Sequence, residues 1–467
     1  MSDTKLPGDE VCWMSATALA ARIRDQQLSA TEVLDMYLQR IDAVNLSLTA
    51  VVSLDVDDAR KQAEAANAAL ARGGVVGPLH GVPMTLKDGH DVAGLRTTLG
   101  TELFDRIADR DGTVAQRLRA AGAIIIGHSN VPPFLADYQS SNSVFGTTVN
   151  PWDRRRTAGG SSGGAAAALA AGLTPVEVAS DLAGSLRLPP HFCGVYGLKT
   201  TEHRVPLTGF FTSPPGVPRP VRIMSCIGPM ARDLDDLDLV LRITAGPDGN
   251  DNDVPPVPVE PLAPRSLSDL RLAVIPALPH STIAKNLQDH VERLAGQLGE
   301  RGGRVDRRLP EVDWSHTDEL FTDLLAAITG LFAPGSELRD EQRSLAWYLE
   351  ALDYRDRLLA AWSRFFDDHD ALICPPAMTT AFEVCEPGSP LHVDGNRVEY
   401  TAQAHPMVFA NLVGLPALTI PVGRDTDGLP VGVQIVGPHW SEARLLAIAR
   451  ALEEAGLSPG FQRPPGY

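Results

Sequence analysis

Apolar residues recur at helical spacing in two runs near the start of the chain, MSATALAARIRDQQ (14–27) and SATEVLDMYLQRIDAVN (29–45). Each predicts an amphipathic helix, with Ser29 or Thr31 able to cap the second. A further helix over about 56–72 precedes a Gly-Pro turn at 77–78. The rhythm then shortens. VPMTLKD (82–88) alternates Val82, Met84 and Leu86 as a buried strand does, and AIIIG (123–127) and VEVAS (176–180) also read as strands. Helices over 113–121 and 162–172 separate them. This alternation predicts an α/β fold, with a central mixed, largely parallel β-sheet covered by helices on both faces.

A second stretch of similar style opens near 269 with LRLAVIPA. Helices are expected around 284–301, 316–332 and 338–368, then the strand-like ALICPP, ALTIPVG and VGVQIVGP, and a last helix over 441–455. Between the halves runs GPDGNDNDVPPVPVEPLAPRS (246–266), rich in proline, glycine and acids. It fits an interdomain linker or a long surface loop. The loop is preferred, because the C-terminal half carries no catalytic signal of its own and its strands suit completion of one sheet. No internal repeat is visible.

Composition narrows the setting. The 467 residues are 44% apolar, 21% charged and 6% aromatic, as in an ordinary globular protein. The five cysteines, Cys12, Cys193, Cys226, Cys374 and Cys385, are scattered and show no CxxC spacing. That argues against a disulfide framework and against a zinc site, and fits a reducing compartment. Net charge is −17, which repels a phosphate backbone, so nucleic acid is not an expected partner. The N-terminus lacks the layout of a signal peptide, and AAAALAAGL (165–173) is too short to cross a bilayer. A cytoplasmic protein with no membrane association is expected.

Of the 41 basic residues only five are lysines: Lys5, Lys61, Lys87, Lys199 and Lys285. Arginine cannot give up its proton in a protein, whereas lysine can. A lysine at an otherwise apolar position therefore draws notice here, and Lys87 ends the strand-like VPMTLKD. It reads either as a snorkelling or ion-paired lysine, with Asp88 or Asp91 as partner, or as a base whose pKa burial has lowered.

Two serine motifs lie downstream. In SDLAGS (180–185), Ser185 follows Gly184 at the end of a strand-like run. The turn is a tight turn with a capping serine, or a nucleophile with backbone N–H groups nearby for an oxyanion. GGSSGG (159–164) opens an alanine-rich helix, where glycine-rich turns bind phosphate. No Lys-Ser/Thr follows and no GxGxxG is present, so a nucleotide fold is not expected. G-x-S-x-G around Ser162 is a weak match to a nucleophile elbow. His80, His90 and His191 lie near these motifs in sequence and are the candidates for a Ser-His-Asp base; structural or surface roles are expected for them.

Together these segments resemble the amidase signature family. TAGGSSGGAAAALAAGL (157–173) and ASDLAGSLRLPPHFCGVYGLKTT (179–201) match its defining stretch in order and spacing. VPMTLKDGHDVAGLRTTLG, SSNSVFGTTVNPWD, GPMARDLDDLDLVL and the tail ANLVGLPALTIPVGRDTDGLPVGVQIVGP match outside it. The likeness covers most of 70–245 and returns at 405–456. It implies a single amidase domain over 1–467: N-terminal helices (1–72), catalytic signature core (73–245), surface loop (246–266), variable substrate-pocket region (267–400), and closing strands and helix (401–467).

The resemblance also implies a Ser–cis-Ser–Lys triad. Ser185 matches the nucleophile, Ser161 the bridging serine, preceded in the family by a cis peptide bond (here Gly160–Ser161), and Lys87 the base. The amides of Leu182, Ala183, Gly184 and Ser185 match the oxyanion hole. Asp181 and Arg187 are expected to pair and hold the turn, and Leu135 and Gly160 are candidate substrate contacts. No cofactor and no metal are implied. The expected substrate is a small-molecule amide or carbamate, with aryl amides, ureas and esters as variants, and the expected state is a monomer or homodimer. The alternative is the glutaminase subunit of a tRNA-dependent amidotransferase.

Some positions depart from the family pattern. Ala183 stands where glycine is usual, tolerable if its φ stays negative. His128, Pro133 and Thr200 also differ from common residues. Phe321, Leu331, Phe332, Trp347, Tyr348, Trp362 and Phe365, within 315–400, fit either a roomy apolar pocket or helix core.

Overall fold

The computed structural model describes residues 9–74, 76–211, 221–330 and 344–467. After a single turn at Asp9–Cys12, the N-terminal periodicity becomes helices Ala16–Arg24, Ala30–Val44 and Val56–Ala71. Ser29, not Thr31, caps the second, in a capping box with Glu32: each side chain satisfies the other residue's backbone N–H.

The strands that position the site are, in chain order, β1 (Val51–Leu54), β2 (Pro83–Lys87), β3 (Ile124–Ser129), β4 (Val176–Asp181), β5 (Tyr196–Lys199), β6 (Cys226–Ala231), β7 (Arg271–Val274), β8 (Arg304–Asp306), β9 (Ala371–Cys374), β10 (Ala417–Arg424) and β11 (Pro430–Val436). Eight form one sheet in the order β8-β7-β9-β11-β10-β5-β6-β4. β1, β3 and β2 form a second sheet, with β3 in the middle.

Alternate residues of the large sheet enter opposite apolar clusters. Val176, Val178, Leu272, Val274, Ile373 and Ile435 face helices Leu234–Thr244, Lys285–Glu300 and Glu442–Glu454. On the other face, Ala179 and Met230 meet helix Gly163–Ala170, while Ala273, Leu372 and Val436 meet Trp314–Thr329 and Leu345–Asp368. Both faces are covered, so both sets of side chains are apolar. The chain is an α/β protein with a large mixed sheet flanked by helices.

The expected parallel character is corrected. In the large sheet only the β7–β8 and β7–β9 pairs are parallel, and the others are antiparallel. β4 and β5 do run the same way, joined by helix Leu188–Cys193, but β6 inserts between them and pairs with both in the opposite sense. Strand–helix rhythm reports the crossover and not which distant strand fills the gap. β10 and β11 form a hairpin, which only antiparallel strands allow.

Residues 246–266 carry no helix or strand. Arginines from the body take up their carbonyls: Arg117 donates to Gly246 (2.9 Å) and Pro247 (2.8 Å), Arg204 to Val257 (2.9 Å) and Arg242 to Glu260 (2.8 Å). The large sheet draws strands from both sides of this segment. The expected 338–368 helix is seen as Leu345–Asp368; its first positions, 338–343, lie outside the described residues.

Candidate active site

β2 delivers Lys87 to the interior. Thr85 and Lys87 share the strand face opposite Met84 and Leu86, which sit in the apolar core. Lys87 is fully buried, and Nζ lies 2.8 Å from Ser161 Oγ, 3.1 Å from Ser180 Oγ and 3.5 Å from the Ser180 carbonyl. Among the described residues no carboxylate is within ion-pairing distance of Nζ. Neither Asp88 nor Asp91 is its partner: Asp88 accepts from the Thr98 amide and hydroxyl, and Asp91 pairs with Arg106. Burial lowers the Lys87 pKa to about 7, against the opposing pull of Asp181 and Glu177.

The glycine turn brings Ser161 onto this amine. Gly159 has φ +89°, and the Gly160–Ser161 peptide bond is cis. A Cβ at Gly160 would fall 2.4 Å from the Asp137 carbonyl oxygen and 2.6 Å from the Gln139 nitrogen, so only glycine fits beneath the 137–139 backbone. Ser140 Oγ staples the turn, accepting from the Gly163 amide (2.9 Å) and donating to the Ser161 carbonyl (3.2 Å). Ser161 Oγ lies 2.7 Å from Ser185 Oγ, and the Ser161 amide donates to the same oxygen at 3.0 Å. Exposure rises along the chain of groups: Lys87 0%, Ser161 2%, Ser185 9%. The line of contacts therefore leads from a fully buried amine to the most exposed of the three groups.

Ser185 stands on a turn held from behind by a buried ion pair. Asp181, at the end of β4, accepts from Arg187 Nη2 and Nε (both 3.0 Å), from Asn411 Nδ2 (2.9 Å), and from the Gly184 and Leu186 amides (both 2.9 Å). Burial alone would raise its pKa, but the Arg187 guanidinium holds it well below the usual carboxylate range. Arg187 also donates to the Met407 carbonyl (2.7 Å) and Gln434 (3.2 Å), tying the turn to the C-terminal strands. Asn411 and Gln434 had no signal of their own in the sequence beyond lying in the matching tail.

One expectation about the turn changes. The Gly184 N–H is committed to Asp181 Oδ1, so it is not free to receive an oxyanion. The amides of Leu182, Ala183 and Ser185 have no acceptor among the described residues. Gly184 is needed for its φ of +111° and because a Cβ there would lie 2.2 Å from Met407 Sδ. Ala183 is not among the residues with positive φ, which is why its methyl is accommodated. In a stretch otherwise buried, Leu182 and Ala183 are half-exposed.

Other candidates sort as follows. Leu135 has φ +61° and lies near Gly89, among Leu99 and Phe210. His80 bonds the Ala66 carbonyl (3.1 Å), His90 packs at a tilt against Phe210 (centroids 4.7 Å), and His191 sits between the Gly432 amide (2.8 Å) and the Thr379 carbonyl (3.0 Å). None touches Ser185. Burial lowers His90 to about 3 and His191 to about 4, so both are uncharged near neutrality. His128 is buried with Nδ1 3.0 Å from the Arg96 carbonyl, and Thr200 donates to the Ile227 carbonyl (2.8 Å). Phe321, Trp362 and Phe365 are core; Trp347 and Tyr348 are half-buried on the same cluster, which Leu182 and Ala183 also contact. Leu331 and Phe332 lie outside the described residues.

Comparison with known proteins identifies the family. The family model described as Amidase matches residues 32–329 and 318–446. An acylamidase from Rhodococcus erythropolis is 31% identical over 480 residues, covering 94% of this chain and 95% of that protein. One subunit of the glutamyl-tRNA(Gln) amidotransferase of Deinococcus deserti is 34% identical over 502 residues, covering 97% and 98%. Among solved structures, a chain from a complex described as revealing the evolutionary origins of an s-triazine catabolic enzyme superposes with TM-score 0.85 at 27% identity, covering 97% of this chain and 100% of that one. No helix among the described residues is long and apolar enough to cross a membrane. A lysine, a glycine-framed serine and a second serine in contact, on a chain matched along nearly its whole length, place this protein in the amidase signature family of C–N hydrolases.

Proposed function

We propose that the chain cleaves small-molecule amides through a Ser185 nucleophile, a Ser161 proton bridge and a Lys87 base. The observation that carries this reading is the continuous contact Nζ–Oγ–Oγ, 2.8 Å and then 2.7 Å, ending on the most exposed of the three groups. Hydroxyl hydrogens rotate freely, so with the amine uncharged the chain reads Ser185 O–H to Ser161 Oγ and Ser161 O–H to Nζ. As Ser185 Oγ bonds to the substrate carbonyl carbon, its proton passes to Ser161 and the Ser161 proton to Lys87. The Ser161 N–H, 3.0 Å from Ser185 Oγ, stabilises the developing negative charge on the nucleophile. The N–H groups of Leu182, Ala183 and Ser185 receive the carbonyl oxyanion. Reversing the proton path protonates the leaving nitrogen as the C–N bond breaks, and water then hydrolyses the ester at Ser185.

The half-buried Leu182, Ala183, Trp347 and Tyr348 favour an apolar acyl or aryl group, in carboxylic amides and also in carbamates or esters, which present the same carbonyl. Leu135 and Gly160 are assigned to the substrate side of the site. The shared sheet supports one folding unit, and the chain acts as a monomer or homodimer. The likeness to one component of a tRNA-dependent amidotransferase keeps a second reading, a glutaminase that works within a complex. A panel of anilides, aliphatic amides, carbamates, esters and glutamine, assayed with the purified chain, decides. Turnover of anilides or carbamates by the chain alone supports the first reading. Ammonia release from glutamine only with a partner present refutes it.

A further inference from the structure

Beneath Lys87 lies a second buried ionisable group that the mechanism above does not use. Glu177 is on β4, fully buried, with its side chain on the sheet face that carries helix Gly163–Ala170. One carboxyl oxygen, Oε1, accepts a hydrogen bond from Thr85 Oγ1, and the other, Oε2, has no partner among the described residues. Thr85 is two residues before Lys87 on the same face of β2, and its amide donates to Thr174 Oγ1 (3.2 Å). β2 and β4 belong to different sheets and share no backbone ladder. The Thr85–Glu177 and Thr85–Thr174 bonds therefore help to set the strand of Lys87 against the strand that leads to Ser185.

The surroundings also settle the charge of this carboxyl. No Lys, Arg or His among the described residues contacts it, and helix Gly163–Ala170 consists of Gly, Ala and Leu. From β3, Ser129 faces Lys87 in register, and its hydroxyl lies beside Glu177. Asp181, further along β4, is neutralised by Arg187; Cys226 lies opposite it on β6. Arg232, at the far end of β6, donates to the Leu169 (3.0 Å) and Thr174 (2.7 Å) carbonyls. Burial outweighs the groups that would favour a carboxylate here, the Thr85 and Ser129 hydroxyls, Lys87 and the Val178 amide, and the group takes a proton instead.

We propose that Glu177 is a positioning residue for Lys87: held by Thr85 as an uncharged carboxylic acid, it registers β2 on β4 and denies the amine an anion that would keep it protonated. This rests on the reading of Lys87 as the base. Burial raises Glu177 to about 8 and lowers Lys87 to about 7, so it drives both groups towards their neutral forms. A carboxylate at Glu177 would reverse this by stabilising the ammonium, and the base would be lost at neutral pH.

Urea unfolding of the full chain and of Glu177→Gln from pH 5 to 8 reads the charge without reference to catalysis. A group with its folded pKa raised makes the folded form hold the extra proton, so the contribution of Glu177 to stability falls as pH rises through this window, and the comparison with Glu177→Gln isolates it. The ratio of folding constants, variant over wild type, should grow about tenfold per pH unit. A ratio flat with pH overturns the proposal. The acid limb of kcat/KM should have the same midpoint in Glu177→Gln as in wild type; a shift downward of about one pH unit or more would mean that a carboxylate had been holding a proton on Lys87, and overturns it. Glu177→Ala, which loses the tie to Thr85, should fall about tenfold or more below Glu177→Gln in kcat/KM, and equality of the two overturns the positioning role. Should neither variant fold, carbon-13 spectra of glutamate-labelled wild type should show a side-chain carboxyl still protonated at pH 7; its absence overturns the proposal. If Lys87→Ala keeps full activity while the stability ratio still climbs, it is the base assignment that has failed, and with it the role of Glu177 in catalysis.

Discussion

The sharpest consequence of the site is a pH dependence that belongs to a lysine. An ordinary lysine, with pKa about 10.4, has roughly one molecule in a thousand uncharged at pH 7.5. Burial of Lys87 lowers its pKa to about 7, which leaves most molecules with a free amine at the same pH. The fold thus raises the concentration of competent base by about three orders of magnitude. Because catalysis needs the uncharged form, kcat/KM for a chromogenic anilide should be half-maximal near pH 7 and tenfold lower for each further pH unit of acid. Histidine is the usual source of such a limb, but His90 and His191 are held at about 3 and 4, and none of the three histidines near the motifs contacts Ser185. Lys87→Ala should lower kcat/KM by roughly 10²–10⁴, the range for loss of a general base. Lys87→Arg should not restore it, because a guanidinium does not release its proton. Continuous release of the aniline chromophore across pH 5–9 measures all three proteins. A limb that keeps its midpoint and amplitude in Lys87→Arg would refute the assignment of the base.

Other substitutions probe the remaining parts. Ser185→Ala should abolish turnover, by roughly 10³ or more, and should leave no acyl-enzyme detectable by mass spectrometry; Ser161→Ala should cost roughly 10²–10⁴ in kcat/KM while the fold persists by circular dichroism. Asp181→Asn leaves the fully buried Arg187 without its anion and should lower unfolding free energy by about 3–5 kcal/mol, read from urea midpoints; a loss under about 1 kcal/mol would contradict the buried pair. Gly160→Ala places a methyl 2.4 Å from the Asp137 carbonyl oxygen, so both the denaturation midpoint and kcat/KM should drop, and an unchanged enzyme would show that the turn is looser than described.

Much of this site was legible before any coordinates, for identifiable reasons. Glycines at 159, 160 and 184 mark places where a backbone approaches another chain segment or adopts positive φ, and the structure shows a clash or a left-handed φ at each. Alternation in VPMTLKD put Lys87 on a buried strand, and the scarcity of lysine made that placement conspicuous. Alternation reports only which face a residue takes. It does not report the neighbour. Hence the parallel character of the sheet was overstated, because β6, from residues 226–231, inserts between β4 and β5. The Gly184 amide was offered to an oxyanion when Asp181, three residues earlier, already holds it. Aromatics of 315–400 were equally consistent with pocket and core, since helical spacing buries a stripe without naming what covers it. Phe321, Trp362 and Phe365 are core.

Local sequence by itself determined the kinds of group present and their immediate geometry: a capped N-terminal helix pair, a buried strand ending in lysine, two glycine-framed serines, and an aspartate and arginine flanking the second. These follow from propensity, periodicity and the conformational freedom of glycine, all of which act over a few residues. Tertiary structure alone decided that Lys87, Ser161 and Ser185, separated by 74 and 24 positions, touch in one line, that Arg187 is satisfied from residues 407, 411 and 434, and that Glu177 lies beneath the amine. The pKa of Lys87 belongs to this second category. Its cause is removal of water by strands and helices drawn from the whole chain, and no window of neighbouring residues contains that information.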